Sequence, residues 1–213
     1  MEASYGPSVD DPRPEAFQAT LAAAQAGSDR AVAELYQTFD PALRRFLRAQ
    51  EPQDFADIAS ETWLAAARTL HSFEGTEDQL RGWLFTIMRR RLADHKRTRR
   101  RRPLTLVPDG TVDPPVAGSA EDAALSGPLG DERARQIVDL LPPDQAEVVL
   151  LRVVAGLDVD EVARIVGRRP GTIRVMQHRA LKRLAEKLDG IGNGEEARGD
   201  GTPRDASTPI PPR

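Results

Sequence analysis

The chain has 213 residues, a formal net charge of −3, 39% hydrophobic, 5% aromatic and 30% charged residues, and no cysteine. The missing cysteines remove disulfides, thiolate metal sites and cysteine nucleophiles, the three histidines lie too far apart for a zinc site, and no apolar run approaches the roughly 18 residues that span a bilayer. We therefore expect a soluble, cytoplasmic protein without a metal or cofactor, built from small helical domains with much surface rather than one deep core.

The N-terminal part is expected to be a flexible leader followed by two helices. Residues 1–14 carry prolines and acids without periodicity. Residues 15–26 are rich in alanine and predict a helix that ends at Gly27. The next helix has apolar residues at helical spacing, and Pro41 is expected to kink or break it. Its apolar positions are Val32, Leu35, Tyr36, Phe39, Leu43, Phe46 and Leu47.

The third expected helix, over residues 54–70, carries an acidic stripe. Asp57 and Glu61 are four residues apart and so share one outward face of the helix. Paired carboxylates serve acid–base catalysis, or hold a metal in nucleases and nucleotidyl transferases, but here no nucleophile and no cleft is indicated beside them. We therefore expect a solvated or partner-binding surface and no enzymatic activity.

A loop over residues 71–79, with Phe73 near its start, precedes a helix over residues 80–102 whose second half is strongly basic. From residue 89 onward nine basic side chains stand against a single acid, Asp94, which is more than a helix dipole needs. Such a density of positive charge beside aromatic side chains is typical of a surface that binds phosphates. The nine are Arg89, Arg90, Arg91, Lys96, Arg97, Arg99, Arg100, Arg101 and Arg102.

These patterns predict an all-α protein of two small helical domains joined by a flexible linker. The first domain is expected at residues 15–102 and the second at residues 131–189. Residues 103–130 are rich in proline, glycine and acids, as a linker is. Residues 190–213 offer no core-forming positions and are expected to be a disordered tail.

Residues 158–188 predict a helix-turn-helix. The first limb ends at Gly167, and the second has an apolar face for packing and a basic outer face. Between residues 164 and 187 eight basic residues stand against one acid, Glu186, which suits a helix that enters a DNA major groove. The alternative is an amphipathic hairpin whose positive face is only solvated. The apolar positions are Val159, Val162, Ala163, Val166, Ile173, Met176, Ala180, Leu184 and Leu188.

Three segments, in order, resemble the extracytoplasmic-function sigma factors, promoter-specificity subunits of bacterial RNA polymerase in the sigma-70 family. DIASETW (57–63) resembles the family's D-L-x-Q-E-T-F segment, WLFTIMRRRLADHKR (83–97) its tryptophan helix, and residues 141–181 its second-domain signature. The resemblance covers residues 27–102 and 131–188. It implies a transcription initiation factor, without catalytic activity of its own, that binds core polymerase and directs it to promoters.

The resemblance also implies partners. Asp57, Glu61 and Trp63 would dock on the clamp helices of the largest polymerase subunit, and the flap would be a further polymerase contact. An anti-sigma protein commonly restrains family members by masking their polymerase-binding faces, and one is expected here. The alternative is a sigma-like regulator that binds DNA without engaging polymerase.

Two groups of residues would read the promoter by the same resemblance. The first would capture an unstacked base of the minus-ten element and hold its strand, through Phe73, Arg89, Arg90, Lys96 and Arg97. The second would read the minus-thirty-five duplex, with base edges contacted by Arg174, Val175 and His178 and phosphates held by Arg168, Arg169, Thr172 and Arg179. Four positions depart from the family's usual asparagine, glutamine, serine and arginine, namely Arg90, Ser60, Val175 and Met176, and Met176 is expected to face the core.

Overall fold

The computed structural model describes residues 13–101 and 128–196, and within these ranges the chain is helical with no strand. The predicted leader up to residue 12, Arg102, most of the predicted linker and residues 197–213 lie outside the described residues. The helices are α1 (Arg13–Gln25), α2 (Asp29–Gln50), α3 (Phe55–Thr69), α4 (Glu77–Arg101), α5 (Pro128–Leu140), α6 (Pro143–Val153), α7 (Val159–Val166) and α8 (Pro170–Glu196), with a short 3-10 turn at Leu70–Ser72 after α3.

Helix α2 runs without a break through Pro41, so the alternative that Pro41 ends the helix is wrong. Ser28 caps the helix by accepting a hydrogen bond from the Ala31 amide. Proline removes one amide from the helical ladder, but the carbonyl left without a partner belongs to Gln37, which is exposed and open to water. The predicted apolar face packs inward apart from Val32, which is 42% exposed.

A polar network locks α2 to α3 behind the acidic stripe. The buried Asp40 carboxylate accepts hydrogen bonds from Arg44 Nε at 2.5 Å and from Trp63 Nε1 at 2.8 Å. The Trp63 ring packs on Tyr36 with 5.0 Å between centroids, and Arg44 also donates to the Tyr36 hydroxyl. Burial raises the pKa of Tyr36, so its hydroxyl is neutral at physiological pH. Trp63 is therefore half-buried and committed to this network.

The helix-turn-helix forms as predicted. Asp158 caps α7 by accepting from the Glu161 amide at 2.7 Å, and Gly167 ends it in the left-handed region at φ +70, where glycine avoids the steric cost of a Cβ. Helix α8 does not stop at residue 188 but continues to Glu196, seven residues past the predicted end of the second domain at residue 189. Each glycine in α8 lowers the stability of the helix by about 1 kcal/mol relative to alanine, but this does not end a helix that is already formed.

The two predicted domains pack against each other and share an apolar core. Phe46, Phe85 and Met88 of the first domain lie in the same buried cluster as Val148 and Val162 of the second. Ion pairs frame the contact: Asp131 of α5 binds Arg48 of α2, and Glu147 of α6 accepts from Arg89 of α4 at 2.7 Å. The first domain therefore covers an apolar face of the second domain, and the polar face of the second domain is open to solvent.

Helix α7 crosses α4 at Gly82, and the crossing buries a carboxylate. A Cβ on Gly82 would lie 3.1 Å from Glu161 Oε1, so only glycine gives this close approach without displacement. Glu161 is 5% exposed, and burial, followed by the negative charge of Asp158, raises its pKa from the ordinary 4.5. Arg164 lies 3.8 Å from the Glu161 carboxylate but is itself 70% exposed, so it compensates little.

We expect Glu161→Gln to unfold at a higher temperature than the wild type at pH 7. Because the folded protein favours protonated Glu161, this residue's contribution to stability is fully present below its unfolded pKa and is lost as pH rises through its folded pKa. The neutral amide of glutamine does not ionise, so the variant does not lose this stability. Arg164, Asp158 and Asp78 are the charged groups that act on Glu161, and they are unchanged in the variant. Thermal unfolding of both proteins at pH 7 and pH 4 measures the effect. An equal difference at the two pH values would contradict it.

Candidate nucleic-acid interface

The outer face of α8 presents the residues predicted to contact the minus-thirty-five element. Ile173 and Ala180 are fully buried, and Met176 packs partly against the core, as expected from its departure from the family pattern. This anchoring turns the remaining positions outward. All of Thr172, Arg174, Val175, His178 and Arg179 are exposed, and Val175 is 48% exposed although it is apolar.

The turn before α8 carries a second basic group. Arg168 and Arg169 are both exposed, and together with Arg164 they line an open depression of about 400 Å³ at the turn. Arg168 also forms an ion pair with Asp144 of α6, with 3.0 Å between Nη2 and Oδ2. The arginines thus lie beside the start of the recognition helix, where DNA phosphates flank an inserted helix.

On α4 the structure brings together three of the four basic residues predicted for the minus-ten element. Arg89, Arg90 and Arg97 line one cleft of about 480 Å³, whose wall includes Ile165 of α7. Arg90 and Arg97 are exposed, whereas Arg89 is half-buried and already donates to Glu147. The cleft also contains Asp94, which lies 3.3 Å from Arg97, so its positive charge is partly balanced within the cleft and partly by Glu147 of the second domain.

Lys96, the fourth predicted residue, does not line this cleft and is paired with the end of α2. Its ammonium donates to Gln50 Oε1 at 3.1 Å and lies 3.7 Å from the buried carboxylate of Glu51. Arg99 donates to the same carboxylate at 2.5 Å. These pairs hold the end of α2 to α4. Residue 96 is nearly two full turns after residue 89, so both lie on about the same side of the helix, and it is the carboxylate of Glu51 that draws Lys96 away from the cleft.

Phe73 lies in the loop between the 3-10 turn and α4. Its ring packs on Trp83 of α4, with 5.3 Å between centroids and an interplanar angle of 44°. The residue is half-buried, and its backbone is extended. An aromatic side chain is thus held at the edge of the first domain, as a base-stacking platform requires.

The outward face of α3 carries Asp57 and Glu61, and both are exposed. Trp63, which was predicted to join them, is half-buried and belongs to the network with Asp40 and Tyr36, so only part of its side chain is open to a partner. Leu64, 62% exposed, lies on the acidic face and was not predicted. Its position three residues after Glu61 and seven after Asp57 could have identified it. The stripe is therefore acidic with one apolar side chain, a composition suited to a protein partner.

None of the described helices is long and apolar enough to cross a membrane. Over the same residues, no group of three or more histidine, aspartate or glutamate side chains is placed to hold a metal ion.

Two family models match the chain. The model of sigma-70 region 2 matches residues 35–102, and the model of sigma-70 region 4 matches residues 131–184. The first covers most of α2, α3 and α4, and the second covers most of α5 to the first half of α8. Helix α1 precedes both matched regions.

Several curated relatives are sigma factors. The extracytoplasmic-function (ECF) RNA polymerase sigma factor SigD of Mycobacterium tuberculosis is 31% identical over 189 residues, which cover 84% of this chain and 87% of SigD. The ECF RNA polymerase sigma factor BldN of Streptomyces coelicolor is 34% identical over 78% of this chain, and the match spans 63% of BldN. The ECF RNA polymerase sigma factor SigX of Bacillus subtilis is 27% identical over 73% of this chain and 82% of SigX.

Solved structures share the fold. CnrH, in complex with the cytosolic domain of CnrY, matches 82% of this chain and 98% of its own with a TM-score of 0.58 at 22% identity. The sigma factor RpoE of Bartonella quintana, in complex with the anti-sigma factor NepR, matches 74% of this chain and 96% of its own with a TM-score of 0.54 at 24% identity.

Proposed function

The chain belongs to the extracytoplasmic-function sigma factors of the sigma-70 family, and we propose which of its surfaces make the contacts that this activity needs. It is a transcription initiation factor that binds core RNA polymerase and directs it to promoters, and the polymerase makes the phosphodiester bonds. One observation supports the assignment of surfaces most strongly. The described residues present two separate exposed basic faces, on α4 and α8, and one exposed acidic face, on α3.

We propose that the acidic face of α3 docks on the clamp helices of the largest polymerase subunit. Asp57 and Glu61 would pair with basic residues there, and the exposed Leu64 would be covered by the contact. Desolvated charge pairs beside an apolar contact give both orientation and affinity. Trp63 supports this face from behind rather than contacting polymerase. The second domain would rest on the flap.

For the minus-ten element we propose a strand path that runs from Phe73 along the arginine cleft of α4. Phe73 would stack on an unstacked base, and the exposed Arg90 and Arg97 would hold the neighbouring phosphates. Arg90 stands where the family usually has asparagine, so this contact is electrostatic. Arg89 would take part only after it leaves Glu147, and Lys96 is not included because it is paired with Glu51 of α2.

For the minus-thirty-five element we propose that α8 enters the major groove. Arg174 and His178 would donate to base edges, and exposed Val175 would contact a thymine methyl group. Arg168, Arg169, Thr172 and Arg179 would hold phosphates, which add affinity and salt dependence but no sequence information.

Replacing one arginine of each class tests this division. We expect Arg174→Ala to weaken binding of the selected duplex by about 1–3 kcal/mol and to relax the sequence preference at one base pair. Arg169→Ala is the matched control, because it should weaken all duplexes alike and lower the salt slope by about one. The measurement is the affinity of reconstituted holoenzyme for duplexes selected from a random pool, and for the unselected pool, at several salt concentrations. Equal losses on both pools for Arg174→Ala would contradict the assignment.

We also propose that an anti-sigma protein restrains this factor by covering the α3 face. The support is that two solved structures of similar fold are complexes, one with the cytosolic domain of CnrY and one with the anti-sigma factor NepR. Because the activity requires RNA polymerase and chromosomal DNA, we propose the cytoplasm as its location.

A further inference from the structure

Helix α1 contacts the loop that precedes α4 through two glutamines. The Gln25 side-chain amide donates to the Leu70 carbonyl at 3.0 Å and to the Phe73 carbonyl at 2.7 Å. About two helical turns before Gln25 on the same helix, the Gln18 side-chain amide donates to the Gly75 carbonyl at 2.8 Å. Three carbonyls, one in the 3-10 turn and two in the loop after it, are therefore held from a helix more than 40 residues away in sequence.

The attachment of α1 does not depend on these glutamines. Phe17, Leu21 and Ala24 are buried in the same cluster as Leu80 and Leu84 of α4. Gln18 is exposed and Gln25 is half-buried, so both lie at the edge of that contact. Apolar burial thus fixes the helix, and the glutamines add hydrogen bonds directed at the loop backbone.

The loop held in this way carries Phe73. Its ring is backed by Trp83, and Thr76 and Gln79 close the loop at the start of α4 by a reciprocal capping box. A loop with its backbone already ordered loses less conformational entropy when it binds a ligand. A helix outside the matched family regions thereby orders the segment that we assign to base capture.

We propose that Gln25, assisted by Gln18, is a positioning residue for the minus-ten contact, and that α1 thereby sets how strongly the Phe73 loop selects the unstacked base. The inference rests on the proposed function of that loop. Gln25 acts on the backbone of the loop and does not contact DNA itself.

The test compares two changes at residue 25, an isosteric one that removes the donor and a longer one that keeps a donor. Gln25→Glu places a carboxylate against two carbonyl oxygens and has no N–H to donate, whereas Gln25→Lys keeps donors that reach the same oxygens. Gln37→Glu, on the exposed face of α2, introduces the same charge as a control. Each full-length variant is assembled with core polymerase and used to select from a single-stranded DNA pool of random sequence. Thermal unfolding, affinity for core polymerase and selection from a duplex pool are measured in parallel.

We expect Gln25→Glu to lose about tenfold of the preference at the selected base, the effect of removing two hydrogen bonds of ordinary strength. Core affinity and duplex selection should be unchanged, and Gln25→Lys and Gln37→Glu should retain the preference. Unchanged selection by Gln25→Glu would overturn the inference, as would a loss that only parallels lower thermal stability or core affinity. If wild-type holoenzyme selects no base from single strands, the proposed function of the loop fails, and the inference with it.

Discussion

The double variant Asp57→Arg/Glu61→Arg is expected to lose at least about a hundredfold in affinity for core RNA polymerase, since truncating one partner of a desolvated charge pair costs about 2–5 kcal/mol and charge reversal adds repulsion. Both side chains are exposed on α3 and make no contact that the fold requires, so the variant should remain folded. The measurement is equilibrium binding of labelled variant to purified core polymerase.

Two comparisons make the result specific. Glu15→Arg/Glu34→Arg changes two other exposed acids, on α1 and α2, and alters net charge equally, so it should bind polymerase as the wild type does. Leu64→Ala should weaken binding less than the charge reversal, through lost apolar contact alone. Full affinity of the double variant would show that polymerase docks on another face.

Asp40→Ala is expected to lower the free energy of unfolding by about 3 kcal/mol, the cost of removing one partner from a largely buried ion pair. The Asp40 carboxylate is 6% exposed and satisfies both Arg44 and Trp63. Its removal leaves a guanidinium and an indole N–H without their acceptor in the contact between α2 and α3. Urea unfolding of the full chain measures the loss.

Asp57→Ala is the control for that change, because it removes the same atoms from an exposed position and should alter stability by no more than about 0.5 kcal/mol. Because Trp63 lies in α3, Asp40→Ala should also weaken polymerase binding although residue 40 is buried behind the docking face. If Asp40→Ala loses no more stability than the control, the network around Asp40 does not stabilise the fold.

Periodicity predicted the helices and the inward faces well, because apolar spacing at 3.6 residues reports burial directly. The helix-turn-helix is the clearest case. Local signals in residues 158–173 predict the burial of Val162 and Ile173, the N-cap at Asp158 and the left-handed backbone of Gly167. Exposure of Asp57 and Glu61 followed from the same rule.

Periodicity did not predict contacts between residues that are distant in sequence. Helical spacing places Trp63, Lys96 and Glu161 on a face but does not say which element covers that face. Trp63 donates a hydrogen bond to Asp40, and Lys96 forms an ion pair with Glu51. Glu161 is buried because α7 crosses α4 at Gly82. Each outcome depends on how α2, α4 and α7 pack, which local propensity does not encode.

The pairing of Arg89 with Glu147 has the same origin and matters most for function. In the sequence Arg89 is one of nine basic residues, whereas in the structure it joins the two domains. The exposed basic surface of α4 is therefore smaller than the charge count indicated, because Arg89 and Lys96 are paired with acids of other helices.

The most direct test of the central claim is transcription by bacterial core polymerase with the purified chain added, on a library of genomic DNA fragments, with the 5′ ends of the products sequenced. We predict discrete start sites that depend on the chain, share two upstream sequence elements at fixed spacing, and disappear with Asp57→Arg/Glu61→Arg. Products without defined start sites, or start sites unchanged by leaving the chain out, would contradict the conclusion that it directs polymerase to promoters.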